Sequence, residues 1–180
     1  MTTRNNIAFG IKQAQRGLKK SERLRIADEF LNKVGLEGFG SKYPSQLSGG
    51  MQQRAAIARA LAMNTDILLM DEPFSAIDAK NRVILQDLLL SLWEGDGSEP
   101  RKTVVFVTHD IDEAILLSDK IVVLTAHPGT LNEIVKVPFS RPRNRTDLVR
   151  TEEYSKFRNK LLSLLYSDIA ERIGGDEVVL

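Results

Sequence analysis

Between residues 21 and 34 the chain reads SERLRIADEFLNKV, and Leu24, Ala27, Phe30, Leu31 and Val34 recur at three- and four-residue spacings. That period predicts an amphipathic helix, with Ser21 as its N-cap and Gly35 as its stop. Gly35, Gly38, Gly40 and the Tyr43-Pro44 pair predict loop over 35–45. An alanine-rich segment from Ser48 to about Met63 predicts a second helix. Asp66 opens a short apolar run, Ile67-Leu68-Leu69-Met70, that ends in Asp71-Glu72-Pro73. Its length and flanks predict a strand buried on both faces. Residues 79–93 return to helical spacing, with Ile84, Leu88 and Leu92 on one face, and Gly95 to Pro100 reads as a surface loop. Val104–Val107 and Ile121–Leu124 are β-branched runs that predict two more strands, with a short helix from Asp110 between them. His127-Pro128-Gly129 predicts a hairpin turn into residues 130–137. Arg141-Pro142-Arg143 reads as a stiff connector. Residues 151–173 predict a last helix, with Tyr154, Phe157, Leu161, Leu164, Leu165 and Ile169 toward one side. Strands alternating with helices point to an α/β architecture with parallel strands.

Composition narrows the function. A chain of 180 residues, 42% hydrophobic and 27% charged, suits one globular domain. Lys and Arg number 25 against 24 Asp and Glu, so there is no bulk electrostatic drive toward nucleic acid. Arg141, Arg143 and Arg145 lack interleaved aromatics and read as a solvated linker, not a nucleic-acid patch. The absence of cysteine removes disulfides, thiolate metal sites and cysteine nucleophiles together. No apolar run reaches the roughly 18 residues of a membrane span. Met1 to Asn6 does not read as a secretory leader, so a reducing cytoplasm is expected.

Three segments carry chemistry. Leu47-Ser48-Gly49-Gly50-Met51-Gln52-Gln53-Arg54 places a serine cap and two glycines at a helix start. Backbone N–H groups at such a terminus suit a phosphate oxygen, and the same residues also suit an ordinary capped helix. Asp71-Glu72 ends an apolar strand, where open α/β sheets bind ligands. In phosphoryl transfer one acid holds Mg²⁺ and a second polarises water; the bland reading is a strand followed by an acidic turn. Thr108-His109-Asp110 also ends an apolar strand, where a histidine can reach a phosphate or serve structure alone.

In this order the segments resemble the ABC ATPases. Leu47 to Arg54 is similar to their signature motif, and Ile67 to Glu72 to their Walker B strand with its catalytic glutamate. Ser75-Ala76-Ile77-Asp78 resembles the D-loop. His109 resembles the switch histidine, and Asp112-Glu113-Ala114 its following helix. The resemblance runs from about residue 5 to the end. It implies the P-loop NTPase (RecA-like) fold and two ATP-binding subunits facing head to tail. It further implies that Ser48, Gly49, Gly50 and Gln52 touch the γ-phosphate held on the opposite subunit. Asp71 would act on Mg²⁺, Glu72 as general base for the attacking water, and His109 on the γ-phosphate, with Asp78 crossing the dimer interface. Ala126-His127-Pro128-Gly129 and Arg141-Pro142-Arg143 are similar to the nitrate, sulfonate and taurine importer branch. The implied partners are permease subunits, a second ATP-binding subunit as homodimer and, indirectly, an extracytoplasmic solute-binding protein. The implied place is the cytoplasmic face of the inner membrane, with no nucleic acid.

The 180 residues contain no G-x-x-x-x-G-K-[ST] phosphate loop. Gly35-Leu36-Glu37-Gly38-Phe39-Gly40-Ser41-Lys42 is the nearest string, with lysine and hydroxyl transposed, a helix before it and Tyr43-Pro44 after it. Asn5 to Gly10 resembles the segment just after the glutamine loop, so the expected organisation is an incomplete ABC ATPase domain. Residues 1–62 would be the helical subdomain with the signature. Residues 63–140 would be the C-terminal part of the core, and 141–180 a connector and helix. In the family an interior strand lies between the strands of 104–107 and 121–124. Without it, the sheet is expected to stay split or to close in another pairing. Two rivals stand beside the ATPase reading. One is a non-catalytic module that docks on a permease or dimer partner. The other is a DNA-repair type ABC ATPase, against which the lack of sustained heptads speaks.

Overall fold

The computed structural model describes residues 1–94, 102–125 and 129–173, without the side chains of 92–94 and 167–173. The predicted loop over Gly95–Pro100 and the turn residues Ala126, His127 and Pro128 lie outside the described residues. The chain divides into two compact units, Met1–Val107 and a second that begins at Thr108.

The first unit opens with three mutually packed helices, α1 (Thr3–Ala14), α2 (Lys20–Lys33) and α3 (Gly49–Ala62). The sequence reading had no helix over 3–14. Its signals were the Ile7–Ile11 spacing and Thr2, whose hydroxyl accepts from the Asn5 amide. A mid-helix Gly10 obscures them, because glycine disfavours helix locally. Packing explains the glycine: a Cβ there would lie 2.9 Å from Cγ of Arg59.

α2 begins at Lys20, not after Ser21, since the Glu22 carboxylate reaches back to the Lys19 amide at 2.8 Å. Its end is as predicted. Gly35 takes φ of 67°, which only glycine adopts without strain. Leu36 N–H then donates to Leu31 and Gly35 N–H to Asn32, a Schellman closure with Leu31 and Leu36 both buried. A 3₁₀ turn, Pro44–Gln46, leads to α3, whose N-cap is Ser48 as predicted.

Strands β1 (Ile67–Asp71) and β2 (Thr103–Val107) pair in parallel, Ile67 opposite Thr103 and Asp71 opposite Val107. Between them in sequence runs α4 (Ala79–Glu94). Among its described side chains Leu85, Gln86, Leu89 and Leu90 are buried, while Ile84 is exposed. Ile84 and Leu88, predicted to face inward, therefore lie one position off the buried side, and the Leu92 side chain lies outside the described residues. Apolar residues all round 83–90 let periodicity choose no side. β1 and β2 also differ from the expectation of burial on both faces. Leu68 and Met70 are inside, but Ile67 and Leu69 are 61% and 72% exposed, and Val105 and Val107 are exposed as well.

The second unit holds α5 (Ile111–Leu117), β3 (Lys120–Leu124), β4 (Leu131–Lys136), α6 (Arg145–Leu148) and α7 (Glu152–Ile173). β3 and β4 form an antiparallel pair, as the predicted hairpin requires. Thr125 N–H donates to the Thr130 carbonyl at its end. The described strands thus make two separate two-stranded sheets. Ile115, Val123, Val135, Val137, Tyr154 and Leu161 form this unit's core, with Phe157 and Leu164 packed against it. Leu165, predicted to join them, is exposed.

The arginines are not a solvated linker. The Arg143 side chain is 2% exposed and the Arg141 side chain 9%. Arg143 Nη1 donates to the carbonyls of Ile115, Leu116 and Ser118, and Arg141 Nη2 to that of Leu117. These are the four carbonyls that α5 cannot pair within itself, and two cations suit the negative end of its dipole.

Candidate functional site

Ser48 places its hydroxyl to accept from the Met51 amide at 3.3 Å, and Ser48 O accepts from the Gln52 amide at 2.9 Å. The Gly49 and Gly50 amides, in the first turn, have no carbonyl a turn earlier to bond. Ser48, Gly49 and Gln52 are exposed. The Gln52 carboxamide turns back to the Pro44 and Leu47 carbonyls at 3.0 and 3.1 Å and fixes the loop before the helix.

Asp71 closes β1 and Glu72 follows it, both exposed. Glu72 N–H extends the ladder to the Val107 carbonyl at 2.9 Å. Glu72 has φ of 42°, a left-handed conformation that costs a non-glycine residue on the order of 1–3 kcal/mol. Its carbonyl accepts from Ser75 N at 3.2 Å, Ser75 Oγ at 3.0 Å and Gln53 Nε2 at 2.9 Å. The turn then reaches Asp78, the exposed N-cap of α4. The Asn81 carboxamide and amide beside Asp78 hold its carboxyl below the usual value.

Two interlocks join the signature helix to this turn. A Cβ on Gly50 would stand 2.9 Å from the Ala76 carbonyl oxygen, so the second glycine is required by backbone approach. Gln53 Oε1 accepts from Ala76 N at 2.9 Å while its Nε2 donates to Glu72 O. The first unit thus contains Ser48, Gly49, Gly50, Gln52, Asp71, Glu72 and Asp78, and joins the helix of the first four to the turn after Asp71 through Gly50 and Gln53.

His109 is the second residue of the second unit and is exposed. Thr108 Oγ1 before it donates to buried Glu113 at 2.8 Å and accepts from Asp110 N at 3.0 Å. Asp110 caps α5 by accepting from the amides of Asp112 and Glu113. Sequence reasoning missed Gln53, Arg143 and Tyr154. Gln53 follows Gln52 by one residue, and one helical step turns a side chain by about 100°.

Among the described residues no group of three or more His, Cys, Asp or Glu side chains is placed to enclose a metal ion. Two adjacent exposed carboxylates suit a Mg²⁺ that keeps waters and shares a nucleotide's phosphates, which is how that ion is usually held. No described helix is long and apolar enough to cross a membrane.

Residues 1–75 match the family model described as ABC transporter. The chain is 49% identical over 172 residues to an uncharacterized ABC transporter ATP-binding protein of Methanocaldococcus jannaschii, MJ0412. The alignment covers 96% of this chain and 61% of that protein. It is 44% identical over 170 residues to the nitrate import ATP-binding protein NrtD of Synechococcus elongatus, again covering 61% of the relative and 94% of this chain. The dimeric structure of MJ0796, a bacterial ABC transporter cassette, overlays with a TM-score of 0.68 at 39% identity, covering 78% of this chain and 58% of that one. The chain therefore spans about three fifths of the length of these relatives. Its fold class is that of the P-loop ATPase domain of ABC transporters, and its relatives are their ATP-binding proteins.

Proposed function

We propose that this chain acts in the ATP-binding subunit of an ABC importer that takes up a small anion such as nitrate, sulfonate or taurine. In this reading Ser48, Gly49, Gly50 and Gln52 address the γ-phosphate of an ATP anchored on an opposite subunit. Asp71 acts on Mg²⁺, Glu72 is the general base toward the attacking water, His109 contacts the γ-phosphate, and Asp78 crosses the subunit interface. The subunit is peripheral, on the cytoplasmic face of the membrane, and works with permease subunits, a second ATP-binding subunit and, through them, a solute-binding protein.

The observation that supports it most is the joining of signature helix and acidic turn through Gln53 and Gly50, which sets phosphate donors and carboxylates on one frame. Likeness to a nitrate import ATP-binding protein supports the anion class.

Isothermal titration of the purified chain with Mg-ATP is expected to show little or no binding, because the 180 residues supply neither phosphate loop nor lysine. In a mixed dimer with a full-length homologous subunit, Ser48→Arg is expected to lower ATP hydrolysis. Glu72→Gln in this chain is expected to leave it unchanged, since Glu72 then faces no anchored nucleotide. Micromolar binding by the chain alone, or a large loss from Glu72→Gln, refutes this account.

A further inference from the structure

The geometry points to Gln53 as the positioning residue that holds Glu72 in its left-handed conformation and ties it to the signature helix. This rests on the reading of Glu72 as the general base. A non-glycine residue at φ of 42° persists only where its surroundings over-determine it. Here the Gln53 carboxamide is used at both ends. Nε2 donates to the Glu72 carbonyl at 2.9 Å and to Ser75 Oγ at 3.3 Å, and Oε1 accepts from the Ala76 amide at 2.9 Å. A donor and an acceptor are both required, in a fixed plane, and a glutamine carboxamide supplies them. Gln53 sits on the helix whose N-terminus is the signature, within two turns of Ser48. A shift of that helix when a phosphate binds its N-terminus would therefore be passed to the backbone of Glu72. The hydrogen bonds of Gln52 go to the loop on the other side, so the two neighbouring glutamines have separate tasks.

The test is heteronuclear NMR of the labelled chain, reading the Glu72 intraresidue amide-to-Hα NOE. Amide and α protons are close at positive φ and farther apart at negative φ, so this NOE reports the conformation directly and needs no nucleotide. It is expected to be strong in the wild type and to fall severalfold in Gln53→Ala. Gln53→Glu keeps volume and the acceptor toward Ala76 but loses the donor to Glu72, so the same fall is expected there. This variant also gives the answer if the alanine variant does not fold. Gln15→Ala, which removes carboxamide bonds to Ala62 and Met63 at the far end of α3, is the control for general loosening and is expected to keep the NOE. A Glu72 NOE unchanged in the folded Gln53 variants overturns the proposal. A fall in Gln15→Ala as well overturns it too, by showing general loosening. These spectra read the Glu72 backbone alone, so failure of Glu72 as general base would leave them as expected, whereas failure of Gln53 as its positioning residue changes them.

Discussion

The Tyr154 hydroxyl donates to Asp112 Oδ1 at 2.6 Å, and Arg158 Nε reaches the same oxygen at 2.9 Å. This joins α7 to the first turn of α5, the helix that follows His109. The ring of Tyr154 is buried against Phe139, with centroids 6.2 Å apart. Burial and then the hydrogen bond to Asp112 push the phenol above its ordinary value.

Tyr154→Phe keeps the ring and removes the bond. A hydrogen bond to a charged group contributes about 1.5 kcal/mol or more, so urea unfolding is expected to show a loss of that order. The pH dependence has a definite sign. A phenol whose pKa is higher folded than unfolded contributes fully below the unfolded value, about 10, and its contribution is lost as pH rises beyond that. Between pH 9 and pH 11, on the order of that unfolded value, the wild type should lose more stability than Tyr154→Phe. Parallel alkaline profiles for the two proteins would contradict this role.

Arg143 is expected to matter far more than a surface arginine. Its removal leaves the last carbonyls of α5 and the Phe139 carbonyl without their donor. Arg143→Met should cost about 3 kcal/mol or more. Arg143→Lys should recover only part of that, since an ammonium cannot span carbonyls on several sides as the planar fork does. Denaturation monitored by near-ultraviolet circular dichroism of the Tyr154 environment reads the loss, and a shift below the error of the method would remove Arg143 from the argument.

The two signature glycines should separate by stability alone. Gly50→Ala forces a Cβ onto the Ala76 carbonyl oxygen at 2.9 Å, and a displaced backbone of this kind costs about 1–3 kcal/mol. Gly49→Ala meets nothing within 4 Å and should stay within about 0.5 kcal/mol. Equal thermal midpoints for the two variants would show that the turn moves aside freely.

The split sheets predict how the whole chain behaves on heating. Each unit has its own buried residues, so two calorimetric transitions are expected and not one. The exposed Ile67, Leu69, Val105 and Val107 side chains make an apolar strand surface that favours association. Leu69→Lys should raise the solubility limit without shifting either transition much. A single sharp transition in the wild type would show that the units unfold together.

Local pattern settled much of this chain. The Ser48 cap, the stop at Gly35 and the apolar runs of β1, β2 and β3 each depend on a few adjacent residues, so their signals survive without knowledge of the fold. The proposed site positions at 48–52, 71–72, 78 and 109 are likewise runs of adjacent residues that can be named without the fold. Which side of α4 is buried was not, because an apolar run around a whole turn leaves the choice to whatever packs on it. Exposure of Leu69 likewise follows from how many layers cover a sheet, which no strand encodes by itself. Arg141 and Arg143 look like surface charge in sequence, and only the fold brings them to carbonyls more than twenty residues away. Gln53 was hidden beside Gln52 because helix geometry, not adjacency, decides which carboxamide meets Glu72. Hydrogen bonds between distant segments exist only after the chain has folded, so the residues that brace the proposed site were decided by tertiary structure, while the motifs proposed to carry its chemistry lie in order along the chain.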